Sequence, residues 1–210
     1  MNRTEALEHF RSTYIEVLIK EYIGKLEELF NDQVNELSVL FIDSFRRICL
    51  SAKAMQERGE KGKIGYIVYS MRRTYLIEQR YEYVIEAFDR DWFFDQRTCQ
   101  DIYDAGWAFE YWGQLGSMLE QQRKRYMNVI ISPDIEQSLL YTVDVFHDFI
   151  IRLAVYAIQR ATELPEFLAL DREDDLEIRV GEYKGLSKLI FKGEKASIIQ
   201  DEDEALIDIC

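Results

Sequence analysis

Proline and glycine are scarce, with 2 and 10 among 210 residues. Tight reversals between strands lean on those two residue types, so their scarcity excludes a many-stranded sandwich or barrel and favours a helix-dominated chain. Cysteine is rarer still for a chain of this size. Cys49, Cys99 and Cys210 are odd in number and far apart, with no spacing suited to a zinc knuckle or a dithiol motif. They read as free thiols in a reducing compartment. Only 2 histidines are present, which narrows acid–base and metal chemistry. GxGxxG, P-loop, HExxH and GxSxG patterns are all absent, so no cofactor, no metal and no catalytic residue is expected, and a binding role is favoured over an enzyme.

Long uninterrupted apolar runs are also missing. The most apolar stretch, Leu139 to Ile158, contains Asp144, His147, Asp148 and Arg152, which suits a buried helix and not a bilayer span. The opening MNRTEALEHF is charged within its first five residues and has no apolar core of a secretory signal. The expectation is a cytoplasmic protein with no membrane contact.

What is present is ordinary globular material, 48% apolar and 31% charged, enough for one core. The formal charge of −13 is uneven: from Glu163 to Cys210 there are 14 acidic against 6 basic residues, a net of −8. Nucleic-acid affinity comes from Lys and Arg neutralising phosphates, so no nucleic-acid partner is expected. An acidic exterior keeps a chain soluble, and it also suits a basic protein partner.

Along the chain, apolar residues from Thr4 to about Arg58 recur at spacings of three and four (Leu7, Phe10, Tyr14, Val17, Leu18), and a heptad-like run continues through Ile19, Ile23, Leu26, Phe30, Leu37 and Leu40. Gln33 breaks that register and Asn31 and Asp32 offer a cap, so two helices folded back as a hairpin are expected. ERGEKGKIG marks a loop. In YIVYSMRRTYLIEQRYEYVIEAFDRDWFF the helical period fails halfway, whereas alternation of Tyr66, Val68 and Ser70 with Ile67, Tyr69 and Met71 is regular. A β-hairpin is predicted, Lys63 to about Ile77 and Tyr81 to about Phe88.

From Arg97 to about Tyr126 the spacing predicts a helix with Ile102, Gly106, Phe109, Gly113 and Gly116 on one stripe. Three glycines on one helix face call for a close neighbour, either packing or a ligand. SPDIEQ opens a further helix, with Ser132 as cap and Pro133 in the first turn, predicted to run to about Glu163. LEIRVGEY alternates as a short strand able to pair with the hairpin edge. QDEDEALIDIC ends the chain with four consecutive acids and an apolar close.

The expected fold is α+β and mainly α: four to five helices packed with a small antiparallel ribbon. Residues 1–164 form a helical domain with the central hairpin at about 63–88, and 165–210 an acidic C-terminal extension packed on it. Two residue sets stand out. Arg72, Arg73, Tyr75, Arg80, Tyr83 and Trp92 are the types that carry binding energy at protein interfaces; the same arginines can instead pair within the hairpin while the tyrosines cover the core. Gly106, Trp107, Gly113, Trp112, Asp144 and His147 frame a helical groove suited to a small molecule. Neither Asp144/His147 nor Glu5/His9 has the Glu-x-x-His form of a di-iron bundle. Three functions are carried forward: an immunity-like or accessory protein presenting an acidic surface to a basic partner, a small-molecule-binding or metal-dependent enzyme using the groove, and a structural oligomer built through the N-terminal heptads.

Overall fold

The computed structural model describes residues 2–193. The acidic stretch from Gln200 and Cys210 lie outside the described residues.

The chain opens with α1 (Arg3–Phe10), closed by a reciprocal cap in which the Asn2 side chain accepts the Glu5 amide and the Glu5 carboxylate accepts the Asn2 amide. One π-turn, Arg11–Ile15, leads into α2 (Glu16–Glu57), 42 residues in which two helical segments meet at a kink at Gln33 (φ −122°, ψ 15°), the residue where the sequence breaks register. The expected fold-back does not occur. A long helix is stable when its apolar stripe finds cover, and Tyr22, Leu26, Phe30, Leu37, Phe41, Phe45, Ile48 and Ala52 are buried in sequence along it. The register with α6 (Val143–Thr162) explains the cover: Glu27 pairs with Arg152, Asn35 bonds Tyr156 and Ser38 bonds Arg160. Both series rise together, so the two helices run parallel, side by side. Toward its end α2 passes onto the sheet.

That sheet has five strands, β1 (Ile64–Met71), β2 (Glu82–Phe88), β3 (Gln100–Asp104), β4 (Arg172–Glu182) and β5 (Ser187–Lys192), in the order β3-β2-β1-β4-β5. β1 and β4 are parallel and every other pair is antiparallel. The α+β, mainly α class holds, and the ribbon is larger than expected. β1 ends at Met71. Residues Arg73–Ile77 form one helical turn, α3, because the Arg72 carbonyl accepts the amides of Tyr75 and Leu76. The predicted pairing of LEIRVGEY with the hairpin edge is realised as β4 beside β1.

Two helix boundaries also differ. Residues Gln100–Asp104 join β2 as an edge strand, fixed from the helix side by Arg47, which bonds Asp101 and the Ile102 carbonyl; α4 (Gly106–Arg123) starts only after it. The predicted helix from Ser132 divides into α5 (Ser132–Leu140) and α6, with α7 (Pro165–Leu168) following. The break has a chemical cause: the Leu139 carbonyl accepts from the Thr142 amide, the Thr142 hydroxyl and the Trp112 indole, which takes it out of the helical ladder.

One face of the sheet carries Ile67, Tyr69, Met71, Tyr83, Ile85, Ala87, Tyr103, Leu176, Ile178 and Val180 into a core shared with α2, α4 and α6. The other, outer face presents Tyr66, Val68, Ser70, Val84, Glu86, Phe88, Glu177 and Arg179, as the strand register requires. Among the described residues no helix is long and apolar enough to cross a membrane.

The glycine stripe of α4 is explained by packing. A Cβ at Gly113 would stand 2.1 Å from the Tyr81 hydroxyl and one at Gly116 2.8 Å from a Leu139 methyl, whereas a Cβ at Gly24 of α2 meets nothing within 4 Å. The two types of helical glycine therefore respond oppositely to alanine. Gly24→Ala is expected to stabilise by up to about 1 kcal/mol through helix propensity, and Gly113→Ala to destabilise by about 1–3 kcal/mol by displacing the Tyr81 ring. Urea denaturation of the two variants checks the sign of each.

Candidate functional site

The segment Asp89–Thr98 connects β2 to β3 and is locked from beneath. Lys61 and Asp95 form an ion pair whose side chains have no solvent exposure. The Lys61 ammonium also donates to the Arg97 carbonyl. The Asp95 carboxylate in addition accepts the amides of Asp89 and Arg97. Asp89 in turn accepts from the Asp91 amide and from the Arg97 guanidinium at 2.8 Å. Burial alone would push the Asp95 carboxyl up, but the Lys61 ammonium and the two amides outweigh it and hold it below the usual carboxylate range.

On this clasp stands a short 3-10 turn, Trp92–Phe94. Trp92 has φ +51°, a left-handed backbone that a bulky residue keeps only when its surroundings enforce it. Its ring lies on Tyr66 of β1, centroids 4.0 Å apart, and Phe93 meets Phe88 edge-on at 5.4 Å. Phe94, at the tip, is 87% exposed. The loop is thus a rigid mount for an aromatic tip.

The interface set from the sequence is distributed over four settings. Trp92 belongs to this loop. Arg72, Tyr75 and Arg80 gather at the β1–β2 connection, where the Tyr75 ring has Arg72 at 5.3 Å and Arg80 at 4.0 Å, and Arg80 also pairs with Glu82. Arg73 is a structural tie: it bonds Glu182 at the end of β4, Asp144 of α6 and the Leu140 carbonyl. Tyr83 is fully buried, and its hydroxyl meets His147 Nδ1 at 2.5 Å.

The groove set is not brought together either. A cleft of about 420 Å³ runs beside α4, walled by Tyr22, Tyr81 and Glu110 and floored by Gly113 and Ser117, and Gly113 alone of the expected six lines it. Gly106 stands at the start of α4. The Trp107 indole donates to the Tyr103 hydroxyl and the Trp112 indole to the Leu139 carbonyl. Asp144 is exposed on Arg73, and His147 is sunk between α6 and the sheet. Burial pushes the His147 imidazole below its ordinary value, although Asp144, Glu182 and Asp148 pull the other way.

Among the described residues no group of three or more His, Cys, Asp and Glu side chains is placed to hold a metal ion. Cys49 and Cys99 are both buried, and burial pushes the Cys49 thiol up to about 12 and raises that of Cys99, so neither is an activated thiolate. The Lys61–Asp95 clasp escaped sequence reasoning because its partners lie 34 positions apart with no local pattern joining them. No protein-family model, curated protein or solved structure matches the chain.

Two outcomes follow from these buried groups. Asp95→Asn strands the Lys61 ammonium in a site without solvent exposure and is expected to cost about 3–5 kcal/mol; the denaturant midpoints of this variant and of the native chain check it. Burial lowers the His147 imidazole in the fold, while an unfolded imidazole protonates near pH 6.5, at about the usual value. The unfolded state then binds the extra proton, so stability is full above that pH and is lost as pH falls through it. Melting curves between pH 7.5 and 5 are expected to flatten in His147→Gln.

Proposed function

We propose that the chain is a protein-binding module of inhibitor or accessory type, whose acidic exterior meets a basic partner and whose Asp89–Thr98 loop supplies the contact. The observation that carries this reading is the Phe94 side chain, 87% exposed on a loop whose base is an ion pair with no exposure. A flexible loop would let the ring fold back onto the surface. With the loop tied at its base, docking Phe94 into an apolar pocket of a partner costs little backbone entropy and gains about 2–3 kcal/mol of burial. Aromatic side chains of this kind dominate interface energetics. The net charge of −13 supports a basic partner, because opposite fields speed encounter and are screened by salt.

The test uses the full chain immobilised for affinity capture from a cell lysate. A specific partner is expected to be retained by the native chain and by Leu186→Ala, a control at an exposed position of the β4–β5 turn. It should be lost at least about tenfold in Phe94→Ala, with the variant's melting temperature unchanged, and it should elute as salt is raised. Equal retention by Phe94→Ala and indifference to salt would overturn the reading.

A further inference from the structure

The cleft of about 420 Å³ beside α4 does not end at Gly113. A second hollow of about 280 Å³ borders it, shares Gln79, Gly113 and Ser117 with it, and continues to Glu136 and Leu139. The two form one groove along α4, because Glu110, Gly113, Gln114 and Ser117 follow one another at steps of three and four and so share a helix face. Gln79 stands where the hollows join, on the left-handed turn (φ +58°) between α3 and β2. Gln79, Glu110, Gln114, Ser117 and Glu136 are exposed and Tyr81 is half-buried, so the polar side chains of the groove are open to solvent.

The lining has a single chemical bias. Its polar groups include the Glu110 and Glu136 carboxylates, the Tyr81 and Ser117 hydroxyls and the Gln79 and Gln114 amides, and each of these can accept a hydrogen bond. No Lys or Arg lines either hollow. Two cations stand at the rim and both are committed, Lys25 over Tyr22 to Glu21 and Arg123 to Glu120. Burial first and the Glu110 carboxylate second raise the Tyr81 phenol, so its hydroxyl stays protonated with oxygen lone pairs to offer. A metal ion needs several converging ligands, and among the described residues no three His, Cys, Asp or Glu side chains supply them. The lining suits an organic cation that carries N–H donors. A quaternary ammonium has none and relies on free aromatic faces, whereas Lys25 lies over Tyr22 and Phe109 stacks on Tyr81. Length selects further: from Glu110 to Ser117 and Glu120, where Glu136 joins the lining, α4 rises roughly 10–15 Å, the reach of an extended chain of about ten linked atoms. Met118, Ile135 and Leu139 give the groove an apolar stretch along the way.

We propose that the groove between Glu110 and Glu136 binds a linear aliphatic polyammonium, one terminal ammonium donating to the Glu110 carboxylate and the Tyr81 hydroxyl and the other to Glu136, with the methylenes along Met118 and Leu139. The net charge of −13 draws any polycation toward the chain, and the groove fixes it at one position. This binding is additional to the protein-binding reading and does not rest on it. The two sites are separate, since Tyr81 immediately precedes β2 and the loop that carries Phe94 follows its other end.

Isothermal titration calorimetry of the full chain with spermidine, at near-physiological salt, tests it. Saturable binding of one equivalent is expected. Glu110→Gln should weaken it at least about tenfold, the scale of a lost charge-assisted contact, with the variant's melting temperature unchanged, and Tyr81→Phe about threefold, the scale of a neutral hydrogen bond. Glu36→Gln removes the same charge from an exposed position of α2 and should bind as the native chain does. Butylamine, with one ammonium, and hexamethonium, with two charges and no N–H, should each bind at least about tenfold more weakly than spermidine. Equal weakening in Glu36→Gln and Glu110→Gln would overturn the proposal, because the polycation then answers only to the overall charge. Hexamethonium or butylamine as tight as spermidine, or no saturable binding at all, would overturn it as well. A lysine-rich peptide that binds through Glu110 where spermidine does not would give the groove to a protein partner and remove the polyammonium.

Discussion

The apolar stripe of α2 is the constraint on which the rest depends. At 1.5 Å per residue the 42 residues of α2 follow a path of about 63 Å through the kink at Gln33, and no single short element can cover it. α6 covers its middle, where Arg152 and Phe149 close on Glu27 and Phe30, and the sheet and α7 cover the end, where Phe41 stacks on Tyr69 at 4.7 Å and Phe45 meets Phe167 at 5.4 Å. Because α2 and α6 run in the same direction, both deliver the chain to the same end of the sheet. The strand that follows each, β1 after α2 and β4 after α6 and α7, must then set out the same way. This accounts for the one parallel pair in an otherwise antiparallel sheet. The junction is sealed where both strands begin: Gln56 donates to the Gly62 and Asp171 carbonyls and the Ile64 amide donates to Asp171.

The interior so formed is unusually rich in tyrosine. Tyr69, Tyr83 and Tyr103 are essentially without exposure, and each hydroxyl is matched, to Ser44 at 3.0 Å, to His147 at 2.5 Å and to the Trp107 indole at 2.9 Å. A matched buried hydrogen bond adds only about 1 kcal/mol, whereas an orphan costs about 1–3 kcal/mol. The three pairs therefore act as much against wrong registers as for the right one: sliding β1 or β2 by one residue would turn the tyrosines outward and strand their partners inside. His147 is spent on Tyr83, and Arg73 on Glu182 and Asp144.

Where period alone decides the outcome, the chain was legible. Alternation placed Ile67, Tyr69 and Met71 opposite to Tyr66, Val68 and Ser70, and the same rule sorted Tyr83, Ile85 and Ala87 from Val84 and Glu86. What failed did so where a tertiary bond overrides a local pattern. Residues 132–163 read as one helix because its apolar stripe is unbroken; the interruption comes from a Leu139 carbonyl taken by Thr142 and by Trp112, a residue on another element. Ile102 shares a helical stripe with Gly106 and Phe109, yet Arg47 and the open edge of β2 draw it into a strand. The α2 hairpin was expected for want of a covering surface, and the surface turned out to be α6, more than a hundred residues away. Of the candidate site, the aromatic and arginine types were visible in DRDWFF and MRRTYLIEQR. Their mounting was not, since Lys61 and Asp95 meet only through the fold.

β1 is the middle strand, hydrogen-bonded on both sides along its length, and its outer residues are consequently the best fixed on that surface. Val68, Val84 and Phe88 on that face are buried, in contrast to the exposed apolar positions Val39, Leu40 and Leu50 of α2. The Asp95 clasp holds Trp92 against Tyr66 at one end of the strand, and Tyr183, whose amide donates to the Met71 carbonyl, holds Arg72 at the other. The left-handed Trp92 backbone, a strain of about 1–3 kcal/mol, is compatible with that arrangement because the loop beneath it is tied by the Lys61–Asp95 ion pair, whose side chains have no solvent exposure.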